Sequence, residues 1–254
     1  LSNALQEKGY HILIFTAPNS TDGVDRVIEY LMDYQVDGII AASVSMSSPL
    51  AERARDAGVP VVLFNRRQDG SNFSNVTSTN LKGAREVTEY LIKTGHERIA
   101  HIAGWQGSQT GRDRARGFEA ALEAAGLRPF AFVDGMYKRE VAMSCARQLL
   151  QDEPPDAIFV GNDHMAFAGM VAIREAGLQP GRDISVIGFD DVPQAAWGSY
   201  DLTTYRQPVN RMVEATVELM LAQIETGVSP TEKIEIEGQL ILRGSVRQEQ
   251  GVAP

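Results

Sequence analysis

The chain has 254 residues, 43% hydrophobic and 22% charged, with 23 Gly and 11 Pro, a globular balance that excludes collagen-like, coiled-coil and low-complexity classes. Its 24 Lys and Arg against 33 Asp and Glu leave a net charge of -9, the wrong sign for gripping a nucleic-acid backbone unaided. No apolar run approaches the roughly 20 residues of a membrane span, residues 1–10 lack the regions of a secretory signal, and Cys145 is the single cysteine, so the expected setting is a reducing cytoplasm with no membrane partner.

Short apolar runs rich in β-branched residues alternate with segments of helical period, the pattern of a parallel sheet covered by helices. In chain order the spacing predicts a strand over 11–15, a helix over 24–34, a strand over 37–41, a helix over 49–57 and a strand over 59–64. A helix over 81–93, a strand over 99–103 and helices over 112–125 and 140–151 follow. Next come a strand over 157–160, a helix over 165–176, a strand over 184–188 and a helix over 209–225. Three helix stops share one chemistry: Gly58, Gly126 and Gly177 stand where a left-handed residue closes a helix, with Pro60, Pro129 and Pro180 just beyond. Ser48 before Pro49 is a matching start. The tail turns to short alternating runs, 233–237 and 239–243 around Gly238, which read as edge strands.

Phosphate-loop, dinucleotide and serine-nucleophile signatures are absent. His96 and His101 are five apart on a strand entry, which puts them on different faces, so neither a metal nor any other cofactor is expected. Cys145 lies in an apolar stretch of a helix and reads as core; the four histidines read as surface or capping groups.

Polar residues instead collect at the C-terminal ends of apolar strands, where open α/β sheets build binding crevices. Asn65 and Arg66 follow one strand; Arg112, Arg114 and Arg116 enter the helix after another; Asn162 and Asp163, then Asp190 and Asp191, follow two more. Arginines at a helix start oppose its dipole, so at least one is expected to serve a partner. Each residue also has a plain structural use: Asn162 or Asp163 as a helix cap, Asp190 and Asp191 as turn residues, Arg66 and Arg67 as solvated charges. Together they describe a neutral polyol site, with carboxylate and amide acceptors, guanidinium forks and a ring from Tyr137 or Trp105.

Three strings carry a specific resemblance: Val160-Gly-Asn-Asp-His-Met-Ala166, Gly181-Arg-Asp-Ile-Ser-Val-Ile-Gly-Phe-Asp-Asp-Val192 and Leu202-Thr-Thr-Tyr-Arg-Gln-Pro208. With Gly95-His-Glu-Arg-Ile-Ala-His-Ile-Ala-Gly104 and Leu242-Arg-Gly-Ser245, they resemble the effector-binding core of the lactose-repressor/galactose-repressor family of bacterial transcription regulators, from Gly9 to about Arg247. The resemblance implies α/β architecture of the periplasmic-binding-protein-like type, two Rossmann-like lobes with parallel sheets joined by three crossings near 77–80, 205–207 and 237–238. The lobes would be 1–78 with 206–237, and 79–205 with 238–254. It places Asn65, Arg66, Arg114, Tyr137, Asn162, Asp190 and Gln207 around a small-molecule effector, a carbohydrate. Asp190 and Arg114 would meet hydroxyls, Asn162 and Gln207 would make paired donor and acceptor bonds, and Tyr137 would stack. It further implies a homodimer, no catalytic activity, and contact with operator DNA through a helix-turn-helix segment outside this chain.

The chain departs from the family pattern at Asn65, often Asp, and at Thr79, often acidic. Gly9-Tyr10 matches the end of the family's first helix, so the family's first strand and most of that helix are expected to lie outside this chain. Two other functions remain open on the residues: an exported sugar-binding protein of a transporter, which shares the fold, and a glycoside or nucleoside hydrolase using Asp163 and Asp190 as acid and base.

Overall fold

The computed structural model describes residues 1–16, 21–44, 53–54, 56–68, 72–228 and 230–247. The chain divides into two units, Leu1–Ser78 with Pro208–Ile236, and Thr79–Gln207 with Glu237–Pro254. Arg206, Gln207 and Glu237 fall differently from the expected lobes. Arg206 ends a strand paired on both sides within the second unit, Gln207 bonds to Asp190, and Glu237 pairs with Lys82.

The first unit carries a parallel sheet in the order β1-β2-β3-β9, formed by β1 (Ile39–Ala42), β2 (Val61–Phe64), β3 (Ser74–Ser78) and β9 (Lys233–Ile236). Because strand side chains alternate between faces, Val61 and Leu63 join Ile28, Ile39 and Phe73 on one face. Val62 and Val76 meet Met212, Leu219 and Met220 of α7 (Val209–Thr226) on the other. The helices α1 (Ser2–Gln6) and α2 (Thr21–Asp33) complete this unit among the described residues. Residues 11–15, expected to be a strand, have no regular structure, and Leu13 and Ile14 are exposed. An apolar run becomes a strand only where a sheet edge takes up its backbone groups, and among the described residues nothing pairs with the outer edge of β1. Most of the expected helix over 49–57, with Ser48 and Pro49, lies outside the described residues.

The second unit holds β4 (Ile99–Ala103), β5 (Ala131–Asp134), β6 (Ala157–Val160), β7 (Ser185–Asp190), β8 (Thr203–Arg206) and β10 (Gln239–Ile241), in the order β10-β8-β7-β6-β4-β5. All neighbours are parallel except β10, which runs antiparallel along β8 at the edge. Its helices are α3 (Asn80–Lys93), α4 (Gln109–Ala124), α5 (Arg139–Leu149) and α6 (Asp163–Glu175). Alternation again sorts the core. Ala100, Ile102, Ile158, Val160 and Val186 pack with Ala142, Ala146, Met165 and Ile173 of α5 and α6. Ile99, Phe159, Ile187, Phe189 and Tyr205 pack with Val87, Leu91, Phe118 and Leu122 of α3 and α4.

The glycine stops are left-handed, at φ 71° for Gly58, 72° for Gly126 and 78° for Gly177. After each, the next N–H reaches back five residues to a helical carbonyl: Val59 to Ala54, Leu127 to Leu122 and Leu178 to Ile173. His101 departs from its expected surface role. It is fully buried in β4, stacked 4.4 Å from Phe159 with its Nδ1 2.9 Å from the Phe159 carbonyl, and burial pushes its pKa down to about 4. His96 is also buried, between the Leu91 carbonyl at the end of α3 and Ser185. Cys145 is half-buried at the margin of the core.

Candidate functional site

In the second unit the C-terminal ends of β4, β6 and β7 are polar, and one arginine organises them. The helix α4 begins at Gln109, three residues before the expected start, with the Ser108 hydroxyl accepting the Gly111 N–H at 3.0 Å. Arg114 therefore sits in the second turn, on the buried face. Arg116 is exposed, and Arg112 bonds back to the Gln106 carbonyl and Gln109. Of the three arginines, only Arg114 points its guanidinium into the sheet end.

Arg114 is 3% exposed. Its Nε donates to Asn80 Oδ1 at 2.9 Å, one terminal nitrogen donates to the Gly161 carbonyl at 2.5 Å, and the other lies 3.6 Å from Asp190 Oδ1. Beneath it the Phe189 ring stands 3.7 Å from the guanidinium carbon, a stacking that suits a planar cation stripped of water. Gln207 Nε2 donates to the same Asp190 oxygen at 2.6 Å, and its N–H to the Asp190 carbonyl at 3.2 Å. Burial pushes the Asp190 carboxyl above the usual range, against the pull of Arg114, Gln207 and His164. Arg114, Asp190 and Gln207 thus form one bonded cluster, and about a quarter of the Asp190 side chain remains exposed.

The backbone there is strained. Asp190 at φ 131° and Asp191 at 59° occupy the region that favours glycine. Asp191 is held by Arg206 at 2.6 Å and Arg243 at 2.8 Å, so it serves the turn. The next N–H, of Val192, donates to Asp163 Oδ2 at 3.0 Å, while Thr204 Oγ1 donates to Asp163 Oδ1 at 2.6 Å. Asp163 is fully buried, and desolvation, followed by the charge of Asp190, raises its pKa to about 7. That burial closes it to a substrate, which weighs against an acid and base pair with Asp190.

Asn162, next to Gly161, caps α6 by accepting the Met165 N–H at 2.9 Å. Tyr137 adopts φ 55° and lies against Gly104 after β4 so closely that a Cβ there would stand 2.0 Å from its ring. Trp105, the other candidate ring, covers Gly107 instead. Asn65 and Arg66 belong to the first unit, after β2. Asn65 is left-handed at φ 57°, with its N–H on the Val76 carbonyl at 2.9 Å and its Nδ2 3.5 Å from Ser43 Oγ. Its Oδ1 is enclosed without a hydrogen-bond partner. Arg66 is buried rather than solvated, and Arg67 pairs with Glu235 at 2.9 Å. Asn80 and Phe189, which fix Arg114, were not among the expected site residues. Asn80 stood in the crossing string and Phe189 in an apolar strand, and only tertiary structure brings them to the arginine. Among the described residues no group of three or more His, Cys, Asp and Glu is placed to hold a metal ion, and no helix is long and apolar enough to cross a membrane.

A family model described as a periplasmic binding protein-like domain matches residues 88–246, and the curated relatives that the chain itself matches are LacI-type regulators. The chain belongs to the LacI family. The probable HTH-type transcriptional repressor ExuR of Bacillus subtilis is 32% identical over 232 residues, 89% of this chain and 70% of that protein. The ribose operon repressor of Escherichia coli is 31% identical over 94% of this chain and 74% of its own length. Among solved structures, a transcriptional regulator CelR-cellobiose complex superimposes with a TM-score of 0.86 at 30% identity, covering 96% of this chain and 76% of that one. These likenesses agree with the α/β architecture and parallel sheets described above. These relatives are named as transcriptional repressors or regulators.

Proposed function

We propose that this LacI-family chain is the effector-binding and dimerisation part of a cytoplasmic repressor and takes a small carbohydrate as its effector. The observation that carries the reading is the buried Arg114 guanidinium, stacked on Phe189 and aimed with Gln207 at the partly exposed Asp190. A fixed donor fork beside a carboxylate acceptor matches the paired hydroxyls of a sugar, which donate and accept in one plane. Asn162 and Tyr137 flank that cluster in the second unit, and Asn65 and Arg66 supply the first unit's share. Domain limits follow the two units. The net charge of -9 supports assigning operator contact to a separate DNA-binding segment, with two copies of this chain pairing and the effector shifting affinity through its unequal binding to two states. The same cluster would serve a transporter's binding protein, but the LacI-type relatives favour the regulator.

The test is thermal unfolding against a panel of mono- and disaccharides, ribose and cellobiose included, with sugar phosphates and nucleosides alongside. A ligand at 100 times its dissociation constant adds about 2.7 kcal/mol to the native state, a shift of several degrees. One sugar should raise the midpoint of the parent chain and not that of Asp190→Ala; no shift with any member, or an equal shift in Asp190→Ala, would sink the reading. Turnover of the bound sugar would restore the hydrolase.

A further inference from the structure

The chain passes between its units at three places, after Ser78, after Gln207 and after Ile236. On the second-unit side one side chain meets all three. Tyr205 lies two residues before the second crossing. Its hydroxyl stands 3.3 Å from Oγ1 of Thr79, the first residue past the first crossing, and accepts the N–H of Gly238, two residues past the third, at 3.0 Å. The ring is fully buried. Gly83 and Gly238 press on it so closely that a Cβ would stand 2.6 Å from it at the first and 2.5 Å at the second. The space is cut for an aromatic ring, and the hydroxyl joins the β3–β9 ladder and the Lys82–Glu237 pair in holding the two crossing segments.

The same ring leads to the candidate site. Tyr205 and Phe189 have centroids 4.9 Å apart with planes inclined at 32°, and Phe189 underlies Arg114. We propose that Tyr205 is a positioning residue that ties the three crossings together and couples them, through Phe189, to the occupancy of Arg114. The coupling rests on the effector reading above; the tie does not. A close-packed ring pair cannot absorb a displacement of the guanidinium without passing it on, and the far end of this pair is the hydroxyl that Thr79 and Gly238 share.

The test uses the full chain with Cys145→Ser, spin-labelled at cysteines replacing the exposed Asp33 in the first unit and Glu123 in the second, with distances read by pulsed dipolar spectroscopy. Without ligand, Tyr205→Phe should change the ratio of the label-distance populations by roughly fivefold, the scale of one net hydrogen bond. Thr79→Val, which removes one of the two bonds, should move it the same way by less. Distributions that superimpose on the parent in both variants overturn the tie; if Tyr205→Phe does not unfold cooperatively, Thr79→Val decides alone. With the sugar that gives the largest thermal shift, the parent distribution should move and that of Tyr205→Phe should move less. An equal response in both overturns the coupling and leaves the tie standing. A chain that binds no sugar contradicts the effector reading instead, and the ligand-free comparison is untouched.

Discussion

The ends of β2 and β7 both carry left-handed residues at the close of a buried strand, and they are held in different ways. At β7 the strain of Asp190 and Asp191 is answered by Arg114, Gln207, Arg206, Arg243 and the buried Asp163. At β2 the strain of Asn65 is met by one backbone bond and a side-chain contact at 3.5 Å to Ser43. The difference teaches how preorganisation is achieved in the second unit, where several charged groups hold each other in one arrangement. The first unit offers an amide with an acceptor to spare.

The sharpest way to break this contrast is to remove Arg114. Arg114→Ala strands the Gly161 carbonyl and leaves Asp190 without its cation, so urea unfolding should show a loss of about 3 kcal/mol, the scale of a broken buried pair, together with loss of any sugar-induced thermal shift. Arg114→Lys keeps the charge but not the fork and should recover stability better than binding. Stability within 1 kcal/mol of the parent would mean that the cluster is not what holds the β7 end. Asp190→Ala, by contrast, should weaken effector binding by on the order of 1.5–3 kcal/mol, as for a hydrogen bond to a charged group, at a smaller cost to folding. Calorimetry giving equal affinity would remove Asp190 from the site.

Protonation sharpens the comparison, because two buried groups of the second unit titrate in opposite senses. The Asp163 pKa is raised from 3.8 to about 7 on folding, so its contribution is fully present below about pH 4 and is lost as pH rises toward 7. For His101, lowered from 6.5 to about 4, the contribution is present above pH 6.5 and is lost as pH falls toward 4. In the parent the two slopes oppose each other between pH 4 and 6.5. Asp163→Asn should unmask the histidine, with urea midpoints rising over that window, and His101→Phe should unmask the carboxyl, with midpoints falling toward pH 7. Parallel profiles in parent and variants would contradict these assignments.

The smaller effects belong to the first unit. Asn65→Ala keeps a Cβ at φ 57° but loses the short amide that tolerates the left-handed region, and should cost up to about 1–2 kcal/mol, while Asn65→Gly should fold as well as the parent and isolate the loss of the amide in binding. Smallest of all, Arg67→Ala removes an exposed ion pair with Glu235 and should change stability by no more than about 0.5 kcal/mol.

How far the fold was legible depended on composition. Ile99–Ala103, apolar but for His101, and Ala157–Val160, wholly apolar, are buried on both faces, and their bounds were readable to the residue. Ser74–Ser78 is equally buried but polar, and what makes it a strand is distant: the Ser74 hydroxyl donates to the Pro230 carbonyl at 2.7 Å and accepts from Gln223 Nε2 at 2.9 Å. Ala131–Asp134 is short, half-exposed and at an edge, with too little alternation to stand out. In the candidate site, residue types at strand ends marked Asn65, Arg66, Asn162 and Asp190, and the family resemblance selected Arg114 from three arginines and Tyr137 over Trp105 and added Gln207. That Arg114 rests on Phe189 and Asn80, and that Asp163 is sealed beneath Thr204 and Val192, are products of packing between elements far apart in the chain.

The central claim, that the guanidinium of Arg114 receives the effector, is tested most directly by side-chain arginine NMR during titration with whichever sugar gives the largest thermal shift. The account predicts that the Arg114 Nε–H resonance, identified by its loss in Arg114→Lys, moves with the same dissociation constant as the thermal response. A sugar that stabilises the chain at saturation while leaving that resonance in place would contradict it.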